Sequence, residues 1–217
     1  MIFKDRAAAG EKLAALLKKD YYFKRSTTIN KLVVVSLLRG GVVVGNVVAK
    51  SFNTKHIPLV VTKIPAPGNF ELAIGALCFE TIYLESQIIK SLGLEKIEIS
   101  NQIEIAREKF NSYLRRFKVK KSIFSKELKN KIIVLVDDGI ATGASIKAAY
   151  LFLKQYKPHK IILAVPVGPA DFDNKGFDKI FILHKDASLS AVSQFYEYFP
   201  QVEDEEVRKI LNSEFRV

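Results

Sequence analysis

The densest chemistry in this 217-residue sequence lies in Ile133-Val134-Leu135-Val136-Asp137-Asp138-Gly139-Ile140-Ala141-Thr142-Gly143-Ala144-Ser145. Four apolar residues read as a strand, two carboxylates stand at its C-terminal end, and small residues lead into a helix. Open α/β sheets bind ligands at the carboxyl ends of their strands. A turn as slim as Ala141, Thr142, Gly143, Ala144 and Ser145 can aim several backbone N–H groups at one phosphate. Thr142 and Ser145 add hydroxyl donors, and the helix N-terminus adds a positive field. Asp137 and Asp138 are anionic and suit the hydroxyls of a sugar, or a hydrated magnesium ion, beside that phosphate. Alone, two acids after a strand would equally make a helix cap and a solvated turn. The small-residue run behind them favours the ligand site.

Three further positions invite the same reading. Arg39-Gly40-Gly41 closes an apolar run and opens a helix. Its bland reading is a tight turn that needs glycine conformations. Lys63 follows a second apolar run, where it is either a surface lysine or a cation aimed at an anionic ligand. Glu71 is either a carboxylate facing the site or the partner of a nearby lysine. Two common nucleotide signatures fail. Gly40 and Gly45 have the spacing of a Walker loop, but Asn46-Val47 stand where Lys-Ser/Thr is needed, and Gly40, Gly41 and Gly45 do not make a dinucleotide fingerprint. His56, His159, His184 and the single Cys78 show no metal-ligand spacing, and one cysteine forms no internal disulfide.

The stretch through Ser145 closely resembles the signature of type I phosphoribosyltransferases that binds phosphoribosyl pyrophosphate (PRPP). The resemblance implies that Asp137 and Asp138 hold the ribose 2′- and 3′-hydroxyls and that Ala141 to Ser145 cradle the 5′-phosphate. It implies that Arg39-Gly40-Gly41 is the pyrophosphate loop and that Lys63 is the basic position aimed at the pyrophosphate. Pro67 to Ala76, Asp5-Arg6 with Ala9-Gly10, and Phe195-Tyr196 with Asp204-Glu205-Glu206-Val207 resemble an uncharacterised bacterial and archaeal group of the same family. The implied activity transfers phosphoribose from PRPP, with magnesium, to a small-molecule base or amine and releases pyrophosphate. The alternative is a PRPP- or nucleotide-sensing regulator that binds nucleic acid. Members acting on 6-oxopurines carry an acidic residue where this sequence has Ala141, which argues against a role relying on that carboxylate. The acceptor and the oligomeric state stay open.

These residues need strands to hold them and helices to cover the strands. Leu32–Leu37, 57–64, 77–84, Ile132–Val136, 160–165 and 179–183 read as strands; 5–19, 42–52, 101–113, 144–156 and 203–215 read as helices. Asp5 is placed to cap the first helix. The alternation predicts an α/β fold, a type I phosphoribosyltransferase-like core with a mostly parallel sheet flanked by helices, in one domain spanning 1–217. The balance of 48% hydrophobic and 26% charged residues excludes a disordered chain. A net charge of +11 favours polyanionic ligands. Ten Lys/Arg against three Asp/Glu fall within 101–131, which predicts a basic hood or flap over the site, with a nucleic-acid surface as its rival. The longest apolar tract is broken by Arg39-Gly40-Gly41 and Asn46, and the first six residues already include Lys4, Asp5 and Arg6, so a cytoplasmic protein without a membrane span or signal peptide is expected.

Overall fold

The computed structural model describes residues 1–173 and 175–214. Five strands, β1 (Leu32–Leu37), β2 (Lys55–Leu59), β6 (Ile132–Val136), β7 (Lys160–Pro169) and β8 (Lys179–Asp186), form a parallel sheet in the order β2-β1-β6-β7-β8. The fold is therefore α/β. Both faces of this sheet are covered, which is why its strands are continuous apolar runs. On one face Val34, Val134 and Ile162 meet Leu13 and Leu17 of α1 (Arg6–Lys19) and Val44, Val48 and Phe52 of α3 (Gly40–Phe52). On the other, Val33, Val35, Ile133, Leu135 and Leu163 meet Ala148 and Phe152 of α7 (Ala144–Lys154). Asp5 caps α1 by accepting from the Ala8 N–H at 2.8 Å. The valines of α3 are β-formers, but their helical spacing puts Val44 and Val48 on the sheet, and burial outweighs propensity.

Short turns join these parts: a 3-10 turn at Tyr21–Lys24, α2 (Ser26–Ile29) and a second 3-10 turn at Val192–Phe195. The run read as one strand over 57–64 is two. The chain leaves the parallel sheet after Leu59 and enters a three-stranded antiparallel sheet at β3 (Thr62–Ala66). The second sheet continues through β4 (Asn69–Cys78) and β5 (Thr81–Leu84), so the single strand expected over 77–84 is the end of one strand and the whole of the next. Hydrophobicity runs unbroken through Val60 and Val61, both buried, and so carries no mark of the change of sheet.

Beyond β5, α4 (Ser86–Leu92), a short helix with no buried residue and hence no marked apolar face, leads into α5 (Lys96–Phe117). The helix expected over 101–113 is thus longer at both ends, and α6 (Ser122–Glu127) follows it. The basic segment 101–131 is mostly helix. It is anchored by Ala106, Phe110, Phe117 and Phe124 in the same core cluster as Ile64 and Ile74 of the antiparallel sheet. The last helix is α8 (Asp204–Glu214), docked through Val207 and Leu211; Phe215, included in the sequence reading, lies outside the described residues. No helix among the described residues is long and apolar enough to cross a membrane.

One polar pair is sealed inside. Ser36 Oγ of β1 and His56 Nε2 of β2 lie 2.6 Å apart, and His56 Nδ1 has no partner among the described residues. A side chain at Gly45 of α3 would sit 2.9 Å from the imidazole, so the helix closes directly over it. Burial, with the nearby Lys50 charge, pulls the His56 pKa down to about 4. The folded state therefore excludes the protonated ring, while the unfolded chain takes it up near pH 6.5. Stability from this group is full above that pH and lost as pH falls toward 4, by up to about 3 kcal/mol. Urea titrations from pH 7 to pH 4 are expected to show this decline, and His56→Gln to flatten it even where the variant is less stable throughout.

Candidate functional site

A cleft of about 530 Å³ opens at the carboxyl ends of β1 and β6. Its floor is Asp137, Asp138 and Gly139, directly after β6. One wall is the turn Ala141, Thr142, Gly143 and Ser145 at the start of α7; the facing side carries Leu38, Arg39 and Gly40 after β1. Val61, Thr62, Lys63 and Pro65, around β3, and Ile105, Ala106, Lys109 and Tyr113 from α5 complete it, with Phe70, Val192 and Phe199 at the rim. Thr62 Oγ1 donates to the Ala106 carbonyl at 3.1 Å and ties α5 to β3.

The structure thus brings together Asp137, Asp138, Lys63, Arg39, Gly40, Ala141, Thr142, Gly143 and Ser145. Gly41 and Ala144 are buried immediately behind the lining. Glu71 is on the exposed start of β4, outside the lining, where its N–H binds Asn69 Oδ1; its neighbour Phe70 is the cleft residue.

The turn into α7 depends on its small residues. Gly143 holds φ +86°, a conformation L side chains resist, and ends the turn as the residue before α7. No side chain caps α7, so its first-turn N–H groups keep their donor capacity beside the cleft.

Arg39-Gly40-Gly41 follows a different logic. Neither glycine has positive φ. The peptide Leu38–Arg39 is cis, and α3 begins directly after it. What the glycines provide is space. A Cβ on Gly40 would run into Asp138 Oδ2, and one on Gly41 would lie 2.7 Å from Asp137 Oδ1. The two motifs, far apart in sequence, are one packed unit.

Each aspartate has its own environment. Asp137 Oδ1 accepts the Asp138 N–H at 2.9 Å. Burial pushes its carboxyl well above the ordinary carboxylate range, and the charge of Asp138 pushes the same way, against the Lys63 cation and that N–H bond. Asp138 is ion-paired with Arg6 of α1, Nε to Oδ2 at 2.8 Å. Arg6 in turn donates to the Pro200 carbonyl at 2.8 Å and lies 3.6 Å over the Phe199 ring. Tyr196 OH donates to the Asp138 carbonyl at 2.6 Å. Sequence reading singled out none of Arg6, Tyr196 or Phe199 for this site, although Asp5-Arg6 and Phe195-Tyr196 were part of the family resemblance. Their partners lie 132 and 58 residues away along the chain, beyond any spacing rule.

A family model described as phosphoribosyl transferase domain matches residues 88–190. Two Mycobacterium tuberculosis proteins, from strains CDC 1551 / Oshkosh and ATCC 25618 / H37Rv, are provisionally named phosphoribosyl transferases. Each is 34% identical over 226 aligned residues, covering 99% of this chain and 47% of the relative. The chain therefore spans about half the length of the curated relatives it matches. The crystal structure of TT1426 from Thermus thermophilus is similar over 98% of this chain and 99% of that one, with 31% identity and a TM-score of 0.71.

Two variants test this packing. Asp137 ionises less readily folded than unfolded, so its charged form costs stability at neutral pH, a cost that vanishes as pH falls through its raised range. Asp137→Asn is expected to raise the melting temperature at pH 7.5 by about 2–4 °C, roughly 1 kcal/mol, with the gap narrowing on acidification. Gly40→Ala should destabilise by about 1–3 kcal/mol in denaturant titrations, against the usual gain for Gly→Ala at a helix start, because the methyl must displace Asp138.

Proposed function

This chain belongs to the phosphoribosyl transferase family, and we propose that it binds PRPP in the cleft and transfers phosphoribose to a base or amine, releasing pyrophosphate. The observation that carries the reading is one cleft holding both halves of an anionic sugar site. The capless start of α7 suits a phosphate, and the Asp137–Asp138 pair, too negative for phosphate, suits sugar hydroxyls. In this reading Ala141, Thr142, Gly143, Ala144 and Ser145 take the 5′-phosphate. Asp137 and Asp138 accept hydrogen bonds from the ribose 2′- and 3′-hydroxyls.

The pyrophosphate then lies toward Arg39-Gly40-Gly41 and Lys63. Lys63 is exposed, and its charge already reaches Asp137. As the C1–oxygen bond breaks, negative charge gathers on the pyrophosphate and positive charge on the ribose ring. Lys63 stabilises the first and the aspartates the second. The loop at α7 contributes remote binding that fixes the ring in place.

Magnesium fits the donor set. No group of three or more His, Cys, Asp or Glu among the described residues could hold a metal. The ion would be shared between ligand oxygens and Asp137 or Asp138, a hard oxygen set of the kind it prefers. Bound there, it would supply neutralisation of pyrophosphate charge.

The acceptor would enter between α5 and the rim. Val61, Phe70, Ile105, Tyr113, Val192 and Phe199 offer apolar and aromatic faces suited to a planar ring. Segment 101–131 serves here as a wall. Of its cations, Lys109 lines the cleft, while Arg107, Arg116 and Lys121 are paired with Glu104, Asp204 and Glu80.

Calorimetry with magnesium is expected to show PRPP binding, weakened about ten- to a hundredfold by Asp138→Asn, the cost of a lost hydrogen bond to a charged group. Absence of binding by PRPP, ribose 5-phosphate and nucleoside monophosphates would refute the reading. A pyrophosphate-release screen of bases and amines then identifies the acceptor.

A further inference from the structure

At the rim of the cleft, two arginines converge on one carboxylate. Arg39 Nη1 reaches Asp204 Oδ1 at 3.3 Å, and Arg116 Nη1 reaches Asp204 Oδ2 at 3.0 Å. The ring of Tyr113 lies near both guanidinium groups, 6.0 Å from that of Arg39 and 5.8 Å from that of Arg116. Gln201, with its amide oxygen turned inward, accepts from the Arg39 guanidinium. Three separate parts of the chain meet here: the turn after β1, the last turn of α5 and the first residue of α8.

We propose that Arg39 and Arg116 form a phosphoryl-binding site, specific for a pyrophosphate-like dianion, whose ligand position is held by the Asp204 carboxylate in the ligand-free protein. The arrangement is that of an anion receptor with an internal anion in it. In these two pairs one carboxylate with a single charge faces two cations. A phosphoryl group brings more charge and a third oxygen, and each guanidinium carries five N–H donors, enough to bind it. Arg39 and Tyr113 line the cleft, so the site is continuous with it. Only the Asp204 side chain need turn away, because Val207 and Leu211 keep α8 docked in the core. Asp204 then acts as a competitor that any phosphoryl ligand must displace, and it sets the affinity for the leaving group.

The inference rests on the reading of the cleft as a PRPP site, and two probes separate them. Inorganic pyrophosphate, titrated calorimetrically into the full chain with magnesium, reads the two-arginine site. Ribose 5-phosphate reads the sugar and the loop at α7. Asp204→Asn is expected to bind pyrophosphate about five- to tenfold more tightly than the wild type, and Arg116→Gln about five- to tenfold more weakly. The double variant should lose the gain, and ribose 5-phosphate affinity should be the same in all. Equal or weaker pyrophosphate binding by Asp204→Asn, no binding by either form, or a gain that survives in the double variant overturns the site. If Asp204→Asn does not fold, Arg116→Gln decides alone, and unchanged pyrophosphate affinity overturns the proposal. Failure of ribose 5-phosphate to bind, with the pyrophosphate pattern intact, removes the phosphoribosyl reading and leaves the site standing.

Discussion

The organisation of this molecule turns on the contact of two carboxylates with two glycines. Asp137 and Asp138 leave β6 where Gly40 and Gly41 begin α3, and neither glycine position has room for a methyl group. The β1–β6 ladder of Leu32–Ile132 through Ser36–Val136 sets the register that brings the two pairs together. The contact also sets the distance between the turns that follow the two strands, and the protein obtains that spacing from the absence of side chains.

Two like charges in such a place need support, and it comes from far along the chain. Arg6 neutralises Asp138 from one side, and Tyr196 and Phe199 close around the pair. Phe3 and Tyr196 form a small core of their own with Ala9 and Val167, where the backbone of Phe3 bonds to Phe195 and Glu197. The residues before β1 and after β8 are thus structural parts of the cleft floor. Burial, and then the charge of Asp138, still hold the Asp137 carboxyl above its usual range. A cation or hydroxyl donor bound beside that carboxyl would add to the stability of the folded chain.

Much of this was legible in the sequence, for identifiable reasons. The parallel strands are buried on both faces, so β1 and β6 stand out as unbroken apolar runs, and the small residues after β6 mark the turn into α7. Arg39-Gly40-Gly41 was recognisable as a turn, but the reason for its glycines was not, because the crowding comes from aspartates much later in the chain. The division of 57–64 between two sheets was hidden because Val60 and Val61 remain buried through the transition. Arg6 and Asp204 look like ordinary helix-end residues in sequence. Only the fold shows that one faces Asp138 and the other faces two arginines.

The order of the parallel sheet has a consequence for how the chain behaves among its own copies. β2 is an outer strand, and an outer strand offers unpaired backbone groups to any passing chain. Pro58 stands within β2 with no N–H to give, and the strand opens on Lys55, held to Glu127 at 2.7 Å. On the opposite border, Lys179 and Lys185 place charge along β8. Both borders therefore discourage strand addition, so a sheet this apolar can stay finite in a crowded solution.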